Sequence, residues 1–534
     1  MKRRYFMKSA LAGLPAISMM GLAACQASKE NGTREINPAE FSLNEASISR
    51  LQEQMTGGTL TAVALCRQYL DRIAEADQLL NSVIELNPDA LEIAAGLDEE
   101  RRSGSVRGPL HGIPVLIKDN IDTGDRMMTT AGSLALAGIS APNDAFIVKK
   151  LREAGAVLLG KTNLSEWANI RSSRSSSGWS ARGGQVRNPF CLDRSPCGSS
   201  SGTGAAVSAN LCAVGIGTET DGSIVCPSGI NGIVGIKPTL GLWSRDGIIP
   251  ISHSQDTAGP MARTVTDAAI LLGALAEFDQ QDAETNLEKG EIFTDYTRFL
   301  DADGLKGARI GIVRSYFGFH SEVDRLMEQA INQLEAAGAV LVDKLTFDSM
   351  GEWSKAEWQV LVSELKADLN AYLSARENSP VKSLAELIEF NRTHADREMP
   401  WFDQEIFEEA QNTRGLDDPA YPEALKTSKI KSRSQGIDQL MDEHRLDALL
   451  APTNAPAWPI DLVNGDHFIG GSSGAAAVAG YPNISVPAGY VHGLPVGISF
   501  FGRAWSEPVL LKIAYAYEQL SKHRRSPGFL KSIG

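Results

Sequence analysis

Cysteine is scarce, with six in 534 residues. Cys25 stands apart near the N-terminus, and the remaining five, Cys66, Cys191, Cys197, Cys212 and Cys226, are odd in number and lack the spacing of a disulfide framework. Cys66 and Cys212 sit in apolar patterns and read as small core residues. No C-x-x-C pair or His-rich tract supplies the ligand spacing of a zinc site, so neither metal nor cofactor is expected. Basic charge is also short. Asp and Glu number 65 against 51 Lys and Arg, and the net charge of −14 excludes nucleic acid as a partner. There is no internal repeat and no low-complexity segment. What remains, 43% hydrophobic and 22% charged, is the composition of an ordinary globular chain able to bury a large core.

The apolar run Ala10 to Ala24 is too short for a comfortable membrane span. Preceded by Lys2-Arg3-Arg4-Tyr5-Phe6-Met7-Lys8, it has the layout of a signal peptide, and the paired Arg points to twin-arginine export. Leu22-Ala23-Ala24-Cys25 resembles a bacterial lipobox, in which a lipidated Cys25 would become the mature N-terminus. The expectation is a signal over residues 1–24 and a polar tether over 25–40. The protein would then be periplasmic, held to membrane only through its lipid, with Gln26 favouring the outer membrane. Loss of residues 1–24 removes four cations and no acid, moving the formal charge from −14 to −18. Export in a folded state from a reducing cytoplasm requires no structural disulfide.

The stretch from Ser195 to Pro227 organises the rest. Its first cluster, Cys197-Gly198-Ser199-Ser200-Ser201-Gly202-Thr203-Gly204, has too few bulky side chains to be a core element. Gly and Ser permit sharp turns and several N–H groups aimed at one place, which suits an anion or oxyanion. A second cluster, Gly217-Thr218-Glu219-Thr220-Asp221-Gly222-Ser223, follows a strand-like segment, so two small-residue turns can face each other. A flexible Gly/Ser connector is the plain alternative. A phosphate-binding loop is set aside because no Lys follows either cluster at the required place. Gly198-Ser199-Ser200-Ser201-Gly202 also satisfies the G-x-S-x-G elbow, which would make Ser200 the nucleophile of an α/β-hydrolase with His467 or His492 as base.

Upstream, Lys118 ends the apolar strand Val115-Leu116-Ile117. Dehydration there disfavours its charged form and draws its pKa toward that of a useful base. Lys118, Ser199 and Ser223 in these settings resemble the Lys–Ser–Ser triad of the amidase signature family, the peptide amidase branch most of all. The same resemblance covers Gly160 to Trp167, Gly235-Ile236-Lys237-Pro238-Thr239 and Ser254 to Arg263, and weakens between about Asp279 and Leu440. It implies one large domain over 41–534, an α/β architecture with a large mixed, twisted sheet between helices, and hydrolysis of amides. Neutral Lys118 would take a proton from Ser199, Ser199 one from Ser223, and Ser223 would attack the carbonyl. Backbone N–H groups of Thr220, Asp221, Gly222 and Ser223 would form the oxyanion hole, and Ser200 would support Lys118 by hydrogen bonding. The serine matching Ser199 sits on a cis peptide in the family, and Lys161 would be structural or line the site. Many members carry Gly in place of Asp221 and Arg in place of Val225. Lacking that cation, the site favours neutral or peptide-like amides over free acids. The expected substrate is a small amide or an amidated peptide. A lipoprotein that binds such peptides without turnover is the reading of another class, and intact Lys118, Ser199 and Ser223 speak against it.

Periodicity predicts helices from Thr59, with Thr59 as N-cap, to Ile73, and over Pro88–Arg102, Asn143–Glu153, Val265–Phe278, Ser321–Ala337, Ser354–Ala375, Tyr421–His444, Gly470–Gly480 and Pro508–Ser521. Strands are expected at Ser82–Leu86, Ala156–Leu159, Leu211–Ile216, Ile230–Ile236, Ala308–Val313, Ala339–Val342, Ala448–Ala451 and Val496–Phe500.

Overall fold

Apolar runs bounded by Gly or by polar turns become the strands of a central sheet, as the alternation of strand and helix requires. The structure, a computed structural model, describes residues 41–286 and 290–533. The expected signal, tether and Cys25 therefore lie outside the described residues. In chain order the strands are β1 (Val83–Leu86), β2 (Pro114–Lys118), β3 (Val157–Thr162), β4 (Val214–Glu219), β5 (Val234–Lys237), β6 (Thr257–Ala262), β7 (Arg309–Val313), β8 (Val340–Leu345), β9 (Ala448–Pro452), β10 (Asn483–Val491) and β11 (Leu494–Phe501). They form one 11-stranded sheet in the order β1-β3-β2-β4-β6-β5-β10-β11-β9-β7-β8. Direction is mixed. β3, β2 and β4 run parallel, as do β9, β7 and β8, and the pairs between these groups are antiparallel.

The parallel trio positions the site. Lys118 pairs with Thr162 and Ile117 with Ile216, so β2, β3 and β4 end on the same edge. All three are buried along their whole length, which is why β2 reads as an unbroken apolar run and not as an alternating one. Helices flank the sheet, and the main core joins Leu65, Ile117, Leu158, Ile216, Leu271 and Phe500. This is a single large α/β domain, as expected. Among the described residues no helix is long and apolar enough to cross a membrane.

Several boundaries move. The first expected helix runs Ala62–Leu80 and is capped by Thr61, not Thr59; the Thr61 hydroxyl accepts the Ala64 N–H at 3.1 Å. The expected strand Ile230–Ile236 divides into a helical turn, Val225–Ile230, and β5. Tyr421–His444 breaks at Arg433–Ile437, where Gly436 leaves helical geometry. Two strands were hidden from periodicity. β10 contains Pro487 and Gly489, and β6 contains Gly259 and Pro260, residues that weaken any strand reading.

Candidate active site

Lys118 is fully buried where β2 ends. Its Nζ lies 2.8 Å from Ser199 Oγ, 2.8 Å from Thr218 Oγ1 and 3.2 Å from the Thr218 carbonyl. Burial pushes its pKa down to about 7, against a weaker upward pull from Asp256 and Glu219. A neutral amine has two N–H bonds and one lone pair. If the two protons go to the Thr218 oxygens, the lone pair is left facing the Ser199 hydroxyl. Asn120 Nδ2 donates to the same Thr218 Oγ1 at 3.0 Å. Lys161 plays no such part: its Nζ is tied to the Ile121 carbonyl at 2.5 Å and to Thr129 Oγ1 at 3.0 Å.

Ser199 and Ser200 directly precede the helix Ser201–Ser208, with Ser200 at its N-cap, and the Gly198–Ser199 peptide is cis. The small residues of this turn are needed for close approach. A Cβ at Gly202 would collide with the backbone carbonyls of Asn163 and Ser82. Ser200 does not touch Lys118. Its Oγ donates to the Thr218 carbonyl at 3.0 Å and accepts the Thr218 N–H at 3.1 Å, so its link to Lys118 runs through Thr218. That hydroxyl is wholly engaged with backbone. His467 is exposed and His492 pairs with Glu322 at 2.8 Å, so the Ser200-centred hydrolase finds no histidine base.

Ser223 sits opposite, its carbonyl accepting the Ser200 N–H at 3.1 Å. Glu219 Oε2 accepts the N–H groups of Ile224 (2.7 Å) and Val225 (3.0 Å), closing the turn that carries Ser223. Gly222 supplies the left-handed residue of that turn, with φ +78°. The N–H groups of Thr220, Asp221, Gly222 and Ser223 donate to no acceptor among the described residues, and Ser223 Oγ has no partner either. Four free donors and an unengaged hydroxyl on one turn, with a buried amine whose pKa is pushed down to about 7, have the composition of a site for acyl transfer. A cavity of about 210 Å³, lined by Thr218, Thr220, Ile248, Ile249, Ile251 and Asp256, meets the donor row at Thr220, while Lys118, Ser199 and Ser223 are not in its lining.

One expectation fails. Cys197 and Cys226 form a disulfide that ties the Ser199 turn to the residues after Ser223. An odd count of five says nothing about a single pair; Cys66, Cys191 and Cys212 stay free and buried. Closing a separation of 29 residues restricts the unfolded chain. The Cys197→Ser/Cys226→Ser double variant should lose about 3 kcal/mol of stability, read as a lower midpoint in thermal unfolding, and reductant should have the same effect on the parent protein.

Residues 64–511 match the Amidase family. The chain belongs to the amidase signature family. A probable amidase of Arabidopsis thaliana is 43% identical over 499 residues, covering 92% of this chain and 93% of that protein. The solved peptide amidase of Stenotrophomonas maltophilia superposes with a TM-score of 0.87 at 53% identity, covering 91% of this chain and 99% of the other. A glutamyl-tRNA(Gln) amidotransferase component from Pseudomonas syringae is 33% identical over 495 residues, 91% of this chain and 99% of that protein. This amidase is therefore an enzyme that hydrolyses amides.

Sequence reasoning missed three groups around the amidase site. Thr218 holds Lys118 with two oxygens, and Glu219 shapes the Ser223 turn; both lie inside the second small-residue cluster. The third is Glu357, in the helix Met350–Ala375, which accepts from Gln255 Nε2 at 2.9 Å while Gln255 reaches the Thr220 carbonyl at 3.3 Å. It comes from the region of weakest resemblance, where no motif marks it.

Proposed function

We propose that this amidase deamidates the C-terminal primary amide of peptides, releasing ammonia, through a Lys118–Ser199–Ser223 relay and an acyl-enzyme on Ser223. The observation that carries the reading is the 2.8 Å contact between a buried, neutral-leaning Lys118 and Ser199, beside four unengaged N–H groups. Lys118 accepts the Ser199 proton as Ser199 accepts that of Ser223, and Ser223 Oγ attacks the amide carbon. The oxyanion is held by the N–H groups of Thr220 to Ser223. The proton returns to the leaving nitrogen, and water then hydrolyses the ester by the same relay.

Val225 places no cation near the nucleophile for a carboxylate-bearing substrate. The likeness to the peptide amidase, solved also with the competitive inhibitor chymostatin, supports a peptide-like substrate. The test is an ammonia-release screen over amidated dipeptides, amino acid amides, fatty amides, anilides and a malonamate. Amidated dipeptides should lead. A malonamate turned over as efficiently as an amidated dipeptide would reject the substrate choice and leave the nucleophile assignment intact.

The N-terminal leader supports a further part of the proposal, an exported lipoprotein attached through Cys25. Membrane fractions should hold the parent protein, and Cys25→Ser should move it to the soluble periplasmic fraction. Parent protein already soluble there would make the lipobox match accidental.

A further inference from the structure

The N–H groups read as oxyanion donors belong to the turn Thr220–Ser223, and a turn can point a backbone N–H in several directions. What fixes the direction is the other end of the same peptide. In a trans peptide the C=O and the N–H share a plane and point opposite ways, so a group that grips one residue's carbonyl aims the N–H of the next. Every peptide of this turn is trans, the Gly198–Ser199 bond being the cis one among the described residues.

Traced in this way, three of the four donors are held from behind. The Glu219 carbonyl, which precedes the Thr220 N–H, accepts Thr257 Oγ1 at 3.4 Å. The Thr220 carbonyl, which precedes the Asp221 N–H, accepts Gln255 Nε2 at 3.3 Å. The Gly222 carbonyl, which precedes the Ser223 N–H, accepts the Cys226 N–H at 2.8 Å. The Asp221 carbonyl receives no donor among the described residues. The Thr220 side chain is held as well, its Oγ1 donating to Asp256 Oδ1 at 2.5 Å. Three consecutive residues, Gln255, Asp256 and Thr257, therefore grip the first two peptides of the row.

The grip is itself anchored. Gln255 is 1% exposed, and its Nε2 also donates to Glu357 Oε1 at 2.9 Å, so two acceptors decide which end of the amide faces Thr220. Asp256 Oδ2 accepts the N–H groups of Ile251 and Ser252, both at 2.8 Å, while Oδ1 takes the Thr220 hydroxyl. Thr257 begins β6 and lies opposite Glu219 in register. None of the three hydrogen-bonds to Lys118, Ser199 or Ser223.

We propose that Gln255 and Asp256 are positioning residues of the oxyanion hole: through the carbonyl and the hydroxyl of Thr220 they aim the Thr220 and Asp221 N–H groups at the substrate oxygen as it gains charge. This deepens the Lys118–Ser199–Ser223 reading and rests on it. A donor already in place need not reorganise when the oxyanion forms, which makes it worth more at that moment. The Gln255 bond adds a second effect, because a carbonyl that accepts a hydrogen bond is polarised and the N–H of the same peptide donates more strongly. Both effects act on the transition state and little on the bound amide, whose neutral oxygen asks less of the donors.

The test uses the full chain with Gln255→Met, which keeps the length and loses the donor, and separately Thr220→Val, which keeps the backbone N–H and loses the hydroxyl held by Asp256. Outright loss of one donor of such a hole costs about 10²–10³ in kcat, so loss of its alignment should lower kcat for N-acetyl-L-leucyl-L-leucinamide by about fivefold or more in each variant, with KM within about twofold. The peptide aldehyde N-acetyl-L-leucyl-L-leucinal separates alignment from packing: Ser223 Oγ adds to its carbonyl carbon and leaves the new oxyanion on the donor row. Its affinity should fall by about the same factor as kcat, whereas calorimetric binding of the amide to the same variants carrying Ser223→Ala should stay within about twofold. Thermal unfolding identifies a variant that fails to fold, leaving the other as the test. A smaller loss of kcat in a folded variant, or equal losses of aldehyde and amide affinity, overturns the proposal. The two readings fail separately: a parent protein that neither turns over an amide nor forms the aldehyde adduct on Ser223 rejects the relay and the grip with it, whereas a parent that does both, matched by its variants, rejects the grip alone.

Discussion

Replacing Ser223 with Ala should lower kcat by about 10⁴-fold or more while leaving the folded protein as stable as the parent. The large kinetic effect follows from loss of the proposed nucleophile, a hydroxyl carried on the same turn as the four free N–H groups. The small structural effect follows from its surroundings: Ser223 Oγ makes no hydrogen bond that the fold would lose, so the change in stability should stay within about 0.5 kcal/mol. Ser200→Ala should behave in the opposite way. It removes the bracket on the Thr218 peptide, where Ser200 Oγ both donates and accepts, and costs stability of about 1–3 kcal/mol, yet it leaves the nucleophile in place and activity measurable. Single-turnover assays and thermal unfolding on the two variants decide the matter. Ser200 essential with Ser223 dispensable would exchange their roles.

Lys118→Met should be nearly as severe for turnover, with a loss of about 10²–10⁴-fold and a changed pH profile as its distinguishing mark. The proposed relay needs the neutral amine. With its pKa held at about 7 by burial, the protonated fraction grows as pH falls, and log kcat should drop with unit slope below that value. The residual rate of Lys118→Met should lose this limb. A limb that persists in the variant would take Lys118 out of the base role. Stability carries a second signature. Between about pH 7 and the ordinary lysine value the unfolded chain holds a proton here that the folded chain does not, so this group makes folding more favourable as pH rises. Lys118→Met should flatten that part of the stability curve.

The proposed relay could be read from the sequence because its parts lie in short, ordered segments whose composition is odd for a core: a Lys closing an apolar strand, and two turns of Gly, Ser and Thr. The spacing of Lys118, Ser199 and Ser223 could be matched without knowing the fold. Other features needed the third dimension. The Cys197–Cys226 bond depends on two turns meeting across the strand β4, and parity of the cysteine count carries no information about such a meeting. Thr218 sat within a recognised turn, but its role comes from both of its oxygens facing Lys118. Glu357 is 136 residues beyond Asp221 in a helix whose charge pattern is that of a solvated face. Strands β6 and β10 were concealed because Pro and Gly within them are tolerated by tertiary pairing that local propensity cannot express.

The parallel trio β3-β2-β4 gives this amidase a division of labour along its chain. The proposed base, both serines and the proposed oxyanion donors come from residues 114–223, fixed by strands buried on both faces and by a covalent tie. A neighbouring part comes from elsewhere, the helices Met350–Ala375 and Tyr421–Ser432, which pack on each other and hold the segment Ser252–Gln255, where Glu364 accepts from Ser254 and Glu357 from Gln255. Under the proposed function, reaction and selectivity would then lie in separate parts of the chain that can change at different rates. A relative could exchange these helices, acquire a new acyl preference and keep the proton relay unaltered, so chimaeras cut on either side of them should transfer substrate choice together with them.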